Sequence, residues 1–157
     1  MVTKRYFRII FCLIIFLLKI NYLASENNMD TIEVNITEAK KLYNLNKIKI
    51  VDIRTIKEWK MTGVIPESLL INMHNDDYTE NLNFTGAIEN ILLKYKNTKV
   101  AFICASGARS EIVVNYFKKK NFDNVFHIPD GILGKNKDGW LYLNFPVEAY
   151  NPEKRYY

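Results

Sequence analysis

Two cysteines, two histidines, four prolines and six glycines are all that 157 residues hold of the types that build metal centres, disulfide frameworks and fibrous repeats. Two cysteines exclude a disulfide-stapled scaffold, and so little Gly and Pro excludes a collagen-like or low-complexity chain. No second His or Cys stands at ligand spacing from His74, so His74-Asn75-Asp76-Asp77 reads as a polar loop and no metal is expected. A Gly-rich phosphate motif, a catalytic carboxylate pair and a Ser-His-Asp set are also missing. Apolar residues make up 48% of the chain, enough for the core of one ordinary domain, while the length leaves no room for a two-domain enzyme.

Acidic residues are absent from the first 24 positions, which carry Lys4, Arg5, Arg8 and Lys19. The net charge of +5 therefore falls to 18 bases against 17 acids over the remainder. Nucleic-acid binding needs a basic face, and none is expected here. After the basic start comes the apolar run Ile9–Leu18, about half of the roughly 20 residues that a spanning helix needs. A basic start, a short apolar stretch and a polar follow-on have the layout of a secretory signal. Residues 1–24 are read as a cleaved signal, or else as an N-terminal anchor that ties the protein to a membrane only if it is retained. The expected location is exported, periplasmic or secreted. Residues 25–35 read as a linker and first strand region, 36–150 as the folded domain and 151–157 as a tail. Cys12 lies in the apolar run and reads as an inert hydrophobe, which leaves Cys104 as the cysteine of the domain.

Hydrophobic periodicity orders that domain. Helices are expected over Thr37–Leu45, over Ile88–Tyr95 and over Glu111–Lys120, the last with Ile112, Val113, Tyr116 and Phe117 on one face. Ile48–Ile53 is rich in β-branched residues and reads as a strand, and Leu69–Met73 is a second short apolar run. Val100–Ile103 is apolar throughout, as in a parallel strand buried on both sides. Val125–Ile128 is the last strand. Alternation of strands and helices implies one α/β domain with a mainly parallel sheet, whose ligands bind beyond the carboxyl ends of the strands. His127 reads as a satisfied structural histidine, and Trp59 as packing.

Cys104-Ala105-Ser106-Gly107-Ala108-Arg109-Ser110 carries the chemistry. A strand delivers a cysteine into a loop of small side chains, and a helix begins near Ser110. Small side chains let successive backbone N–H groups form an anion-binding nest, to which the helix adds the positive end of its dipole. Such surroundings favour the thiolate, which is the nucleophilic form of cysteine. Arg109 either binds an anionic substrate or pairs inward with Asp52 or Glu58. The inward role is favoured, because a forked guanidinium suits a carboxylate.

These residues resemble the rhodanese (sulfurtransferase) family. Cys104–Ser110 is similar to its active-site loop, and Val51-Asp52-Ile53-Arg54 with Glu58-Trp59 is similar to its first motif. Gly63-Val64-Ile65-Pro66 resembles its second motif. Asp130-Gly131-Ile132-Leu133-Gly134, followed by Lys137-Asp138-Gly139, resembles its closing motif. The resemblance implies a flavodoxin-type sheet of five mainly parallel strands flanked by helices. It also implies a sulfur transfer through a Cys104 persulfide, with no metal or organic cofactor. Ala105 to Ser110 would bind the persulfide, with Asp52, Arg54 and Glu58 in support. A small sulfur donor, thiosulfate or a persulfide or polysulfide, would load the cysteine, and a thiol or cyanide would unload it. Ala105 and Ser106 stand where many members carry a basic or aromatic residue, which leaves the donor open. Phosphatases on the same fold have one more residue between the cysteine and the arginine, so the four found here disfavour phosphate chemistry. Two further readings stay open: a non-catalytic binding or regulatory module, and a thiol redox partner.

Overall fold

In the computed structural model, the structure describes residues 32–153; the expected signal segment and Cys12 lie outside them, as do the last four residues of the expected tail. Eight elements follow in order: α1 (Ile36–Asn44), β1 (Ile48–Asp52), α2 (Ile56–Thr62), β2 (Leu69–Leu70), α3 (Phe84–Lys94), β3 (Lys99–Ile103), α4 (Ala108–Lys119) and β4 (Val125–His127). The strands form one parallel sheet in the order β2-β1-β3-β4.

Among the described residues the sheet has four strands, which corrects the five-stranded expectation. The fifth position is taken by a single parallel bridge between Glu33 and His127. Two hydrogen bonds make it, from His127 N to the Ile32 carbonyl (2.8 Å) and from Val34 N to the His127 carbonyl (2.9 Å). It ends there because Asn35 turns away to cap α1, its side chain accepting from Glu38 N at 2.9 Å.

Strand alternation sorts the core onto two faces. Val51, Ile53, Val100, Phe102, Cys104 and Val125 meet the buried sides of α3 (Ile88, Ile91, Leu92) and α4 (Val113, Val114, Phe117). Ile48, Ile50, Ala101 and Ile103 point the other way, towards Ile36 and Ala39 of α1 and towards Trp140. Trp59, Val64 and Leu70 form a smaller cluster at the β2 edge. Trp59 thus packs as expected, although its indole N–H has no partner among the described residues.

Two expectations about side chains are corrected. Ile112 and Tyr116 leave the core, at 60% and 45% exposure, because α4 buries Ser110, Val113, Val114 and Phe117 instead. His127 is buried, yet neither ring nitrogen has a hydrogen-bond partner among the described residues. Nε2 lies 3.5 Å from Glu33 Oε1, within reach of an ion pair when the ring is protonated and long for a good hydrogen bond. His74 to Asp77 is a loop turn, in which Asn75 N donates to the Thr79 carbonyl and Asp77 accepts from Thr79. Among the described residues, no group of three or more His, Cys, Asp or Glu is placed to hold a metal ion, and no helix is long and apolar enough to cross a membrane.

Candidate active site

β1 and β3 end side by side, with Ile53 N donating to the Ile103 carbonyl at 3.0 Å. Asp52 therefore leaves β1 at the level where β3 hands over to Cys104, the carboxyl edge at which open α/β sheets bind ligands. Cys104 is a free thiol, 1% exposed and part of the core face it shares with Phe102. Its sulfur is buried at the base of the loop and not at its rim.

Past Cys104 the chain turns through half-buried Ala105 and Ser106 to Gly107, which has φ 89° and stands at the N-cap of α4. A side chain at Gly107 would place its Cβ 2.1 Å from the Pro129 carbonyl oxygen. Only glycine combines that left-handed backbone with so close an approach. On the far side, Ile132 N and Leu133 N donate to the carbonyls of Cys104 and Ala105, both at 2.9 Å. The closing segment 129–133 thus clamps the loop by its carbonyls and leaves its amides untouched. Among the described residues, none of the six consecutive N–H groups from Ala105 to Ser110 donates to a protein acceptor.

Ser110 is the polar neighbour of the sulfur, with Oγ 3.7 Å from Cys104 Sγ and 2.8 Å from the Gly107 carbonyl. One hydroxyl proton serves two acceptors. With a neutral thiol, S–H donates to Ser110 Oγ, which in turn donates to Gly107. With a thiolate, the Ser110 proton turns to sulfur and Gly107 gives it up.

Two ion pairs brace this edge. Arg109 donates from Nη1 to Glu58 Oε2 (2.9 Å) and from Nη2 to Oε1 (2.7 Å), so the inward pairing is found with Glu58 and not with Asp52. Asp52 accepts instead from Arg54, at 2.6 Å from Nη2, with both residues fully buried. Arg54 then reaches onward to Thr62 Oγ1 and, at 2.8 Å, to the Gly63 carbonyl, which pins the end of α2.

Thr55 is a residue that sequence reasoning passed over. Its Oγ1 accepts from Glu58 N at 3.2 Å, while Glu58 Oε2 accepts from Thr55 N at 2.8 Å, a capping box that starts α2. The box fixes the carboxylate that holds Arg109. Its signature, Thr-x-x-Glu, was present in the sequence.

Electrostatics follow from these contacts. Burial pushes the Glu58 carboxyl up, but the hydrogen bonds from Arg109 and Thr55 and the Arg109 charge together outweigh it, leaving it below its ordinary 4.5. The Glu58 hydrogen bond raises Arg109 above its ordinary value against the opposing effect of burial, with the Glu58, Cys104 and Asp52 charges adding to the rise. The loop arginine stays charged at every physiological pH.

The family model described as Rhodanese-like domain matches residues 35–137. The chain is 35% identical over 114 residues to the uncharacterized protein RP600 of Rickettsia prowazekii (strain Madrid E), covering 68% of this chain and 90% of that protein. Among solved structures it is similar to Rv0390 from M. tuberculosis, with a TM-score of 0.59 and 19% identity, covering 75% of this chain and 99% of that one. It is also similar to thiosulfate sulfurtransferase from Pseudomonas aeruginosa, with a TM-score of 0.58 and 20% identity, covering 83% of this chain and 22% of that one. At those identities the two structures speak for the fold alone.

Proposed function

Because the chain belongs to the rhodanese-like domain family, we propose that it is a sulfurtransferase in which Cys104 carries one sulfane sulfur from a donor to an acceptor. The observation that carries this reading is the run of six amides, Ala105 to Ser110, without a protein acceptor and directly after a buried cysteine. Backbone N–H groups are obligatory donors, and so many left open in one turn and the start of one helix are suited to an anion.

A persulfide is such an anion. The Cys104 thiolate attacks the outer sulfur of the donor; the Sγ–S bond forms as the donor's own bond to that sulfur breaks, and the leaving group departs with the electron pair. A thiol or cyanide acceptor then attacks the same sulfur and returns Cys104 to the thiolate. Charge moves one atom outward from Sγ and back, and fixed dipoles that need not reorganise stabilise it in both positions. The α4 N-terminus adds about half a positive charge. Ser110 adds a donor at the sulfur itself, while Glu58 and Arg109 act as positioning residues that hold the loop against α2.

Intact-mass spectrometry of the reduced protein after exposure to thiosulfate or polysulfide tests the reading. The expected result is a gain of one sulfur atom, abolished by Cys104→Ser. Mixed disulfides without a sulfur adduct favour the redox alternative, and an unmodified protein favours the binding module.

A further inference from the structure

The charges around the loop point to the class of donor. Among the described residues, the two arginines at this edge are each engaged: Arg109 by both oxygens of Glu58, and Arg54 by Asp52. Each pair sums to zero. Between Cys104 and Arg109 stand Ala105, Ser106, Gly107 and Ala108, none of them charged. Lys135 and Lys137 of the closing segment are exposed, where water and salt screen them. What remains beneath the loop is the field of its free amides and of one helix N-terminus. That field suits one negative charge, the thiolate before transfer or the persulfide after it. A dianionic donor would bring two more charges to the same place, with no free cation among the described residues to meet them.

The rim has the opposite character. Leu133, whose N–H holds the Ala105 carbonyl, is 51% exposed, and Ala108 at the start of α4 is exposed too. An organic substituent finds apolar surface there; a sulfite leaving group finds no cation among the described residues of the rim.

We infer that the sulfur donor is an organic hydropersulfide, R–S–SH, and not thiosulfate. This rests on the Cys104 persulfide proposed above. The step balances without an oxidant or reductant. The Cys104 thiolate attacks the outer sulfur, the Sγ–S bond forms, and the donor S–S bond breaks. RS⁻ leaves with the bonding pair, and the transferred sulfur keeps its proton, to be lost afterwards to RS⁻ or water.

The test is time-resolved intact mass of the reduced full-length protein mixed with cysteine hydropersulfide or with thiosulfate at equal concentration. Loading by the hydropersulfide is expected to be at least on the order of tenfold faster, which corresponds to about 1.4 kcal/mol in the barrier. Adding a cation should narrow the difference. Ala105→Arg, or Ser106→Lys should the first fail to fold, is expected to raise the thiosulfate rate relative to the hydropersulfide rate by several-fold. Thiosulfate loading the wild type as fast as the hydropersulfide overturns the donor assignment and leaves the persulfide reading standing. A cation that leaves the ratio unchanged also overturns it. Absence of a sulfur adduct from either donor overturns the persulfide reading itself.

Discussion

Glu58 joins more of the site than any other residue. One carboxylate closes the capping box with Thr55 and receives both Nη groups of Arg109, so it ties the start of α2 to the start of α4. Its depressed titration gives the sign of the pH dependence. A carboxyl whose folded value lies below 4.5 contributes stability that is fully present above 4.5 and is lost as pH falls through the folded value. Wild type should therefore melt higher than Glu58→Gln near neutral pH, with the gap closing on acidification below about pH 4.5. A gap that stays constant to pH 3 or so would show that the pairing does not contribute through ionisation. Arg109→Lys loses the two-pronged geometry while keeping the charge. It should cost about 1–2 kcal/mol in chemical denaturation together with a slower sulfur loading. Unchanged melting would remove Arg109 from its structural role.

At the scale of elements, the closing segment and the active-site loop behave as one unit. Gly131 has φ 69°, and a Cβ there would stand 2.5 Å from the Ala105 carbonyl oxygen and 2.7 Å from Ser106 N. Gly131→Ala should therefore destabilise by about 1–3 kcal/mol and slow loading of Cys104 as well, because the atoms it displaces belong to the loop. A loss of stability with loading intact would mean that the segment packs against the loop without shaping it. Legibility also divides by element. β1, β3 and β4 were readable because runs such as Ile48–Asp52 and Lys99–Ile103 are mostly β-branched or apolar and, Lys49 and Lys99 aside, buried on both faces. α2 was not, since seven residues bury only Trp59 and show no periodic stripe, although Thr55 and Glu58 spelled its start. The rotation of α4 was misread for a similar reason. The expected face joined Ile112 and Tyr116 to Val113 and Phe117, whereas the buried face joins Ser110 and Val114 to them, with Ser110 drawn under the loop beside Cys104. That constraint is tertiary, and no local pattern announces it. The loop itself was legible as small residues around a cysteine. The choice of Glu58 over Asp52 for Arg109 was not, because Arg54 claims Asp52 only through the geometry of its own strand end.

At the scale of the whole fold, β1 links the three apolar clusters of the described residues. It gives Val51 to one face and Ile48 and Ile50 to the other, and its Asp52 pairs with Leu70 of the edge cluster. The C-terminal segment reinforces this. Val64 and Glu148 exchange two backbone hydrogen bonds of 2.9 and 2.8 Å, Trp59 packs against Tyr150 with the rings tilted by 38°, and Trp140 Nε1 donates to the Pro146 carbonyl at 3.0 Å. Clusters that share a central strand and one overlying segment should unfold together. The two tryptophans sit in different clusters and report on them separately. In Trp59→Phe, fluorescence follows Trp140 alone; in Trp140→Phe, it follows Trp59 alone. Within each variant, the urea transition by fluorescence should coincide with that by far-UV circular dichroism. Trp140→Phe should also be the less stable of the two by about 1 kcal/mol, since it leaves the Pro146 carbonyl without its donor, whereas the Trp59 N–H has none to lose among the described residues. An early fluorescence transition in Trp140→Phe would mean that the β2 edge, with the α2 helix that holds Glu58 against Arg109, opens ahead of the rest. The loop would then be held by an element less stable than the sheet behind it, and the positioning role of Glu58 would weaken under mild denaturant before the fold is lost.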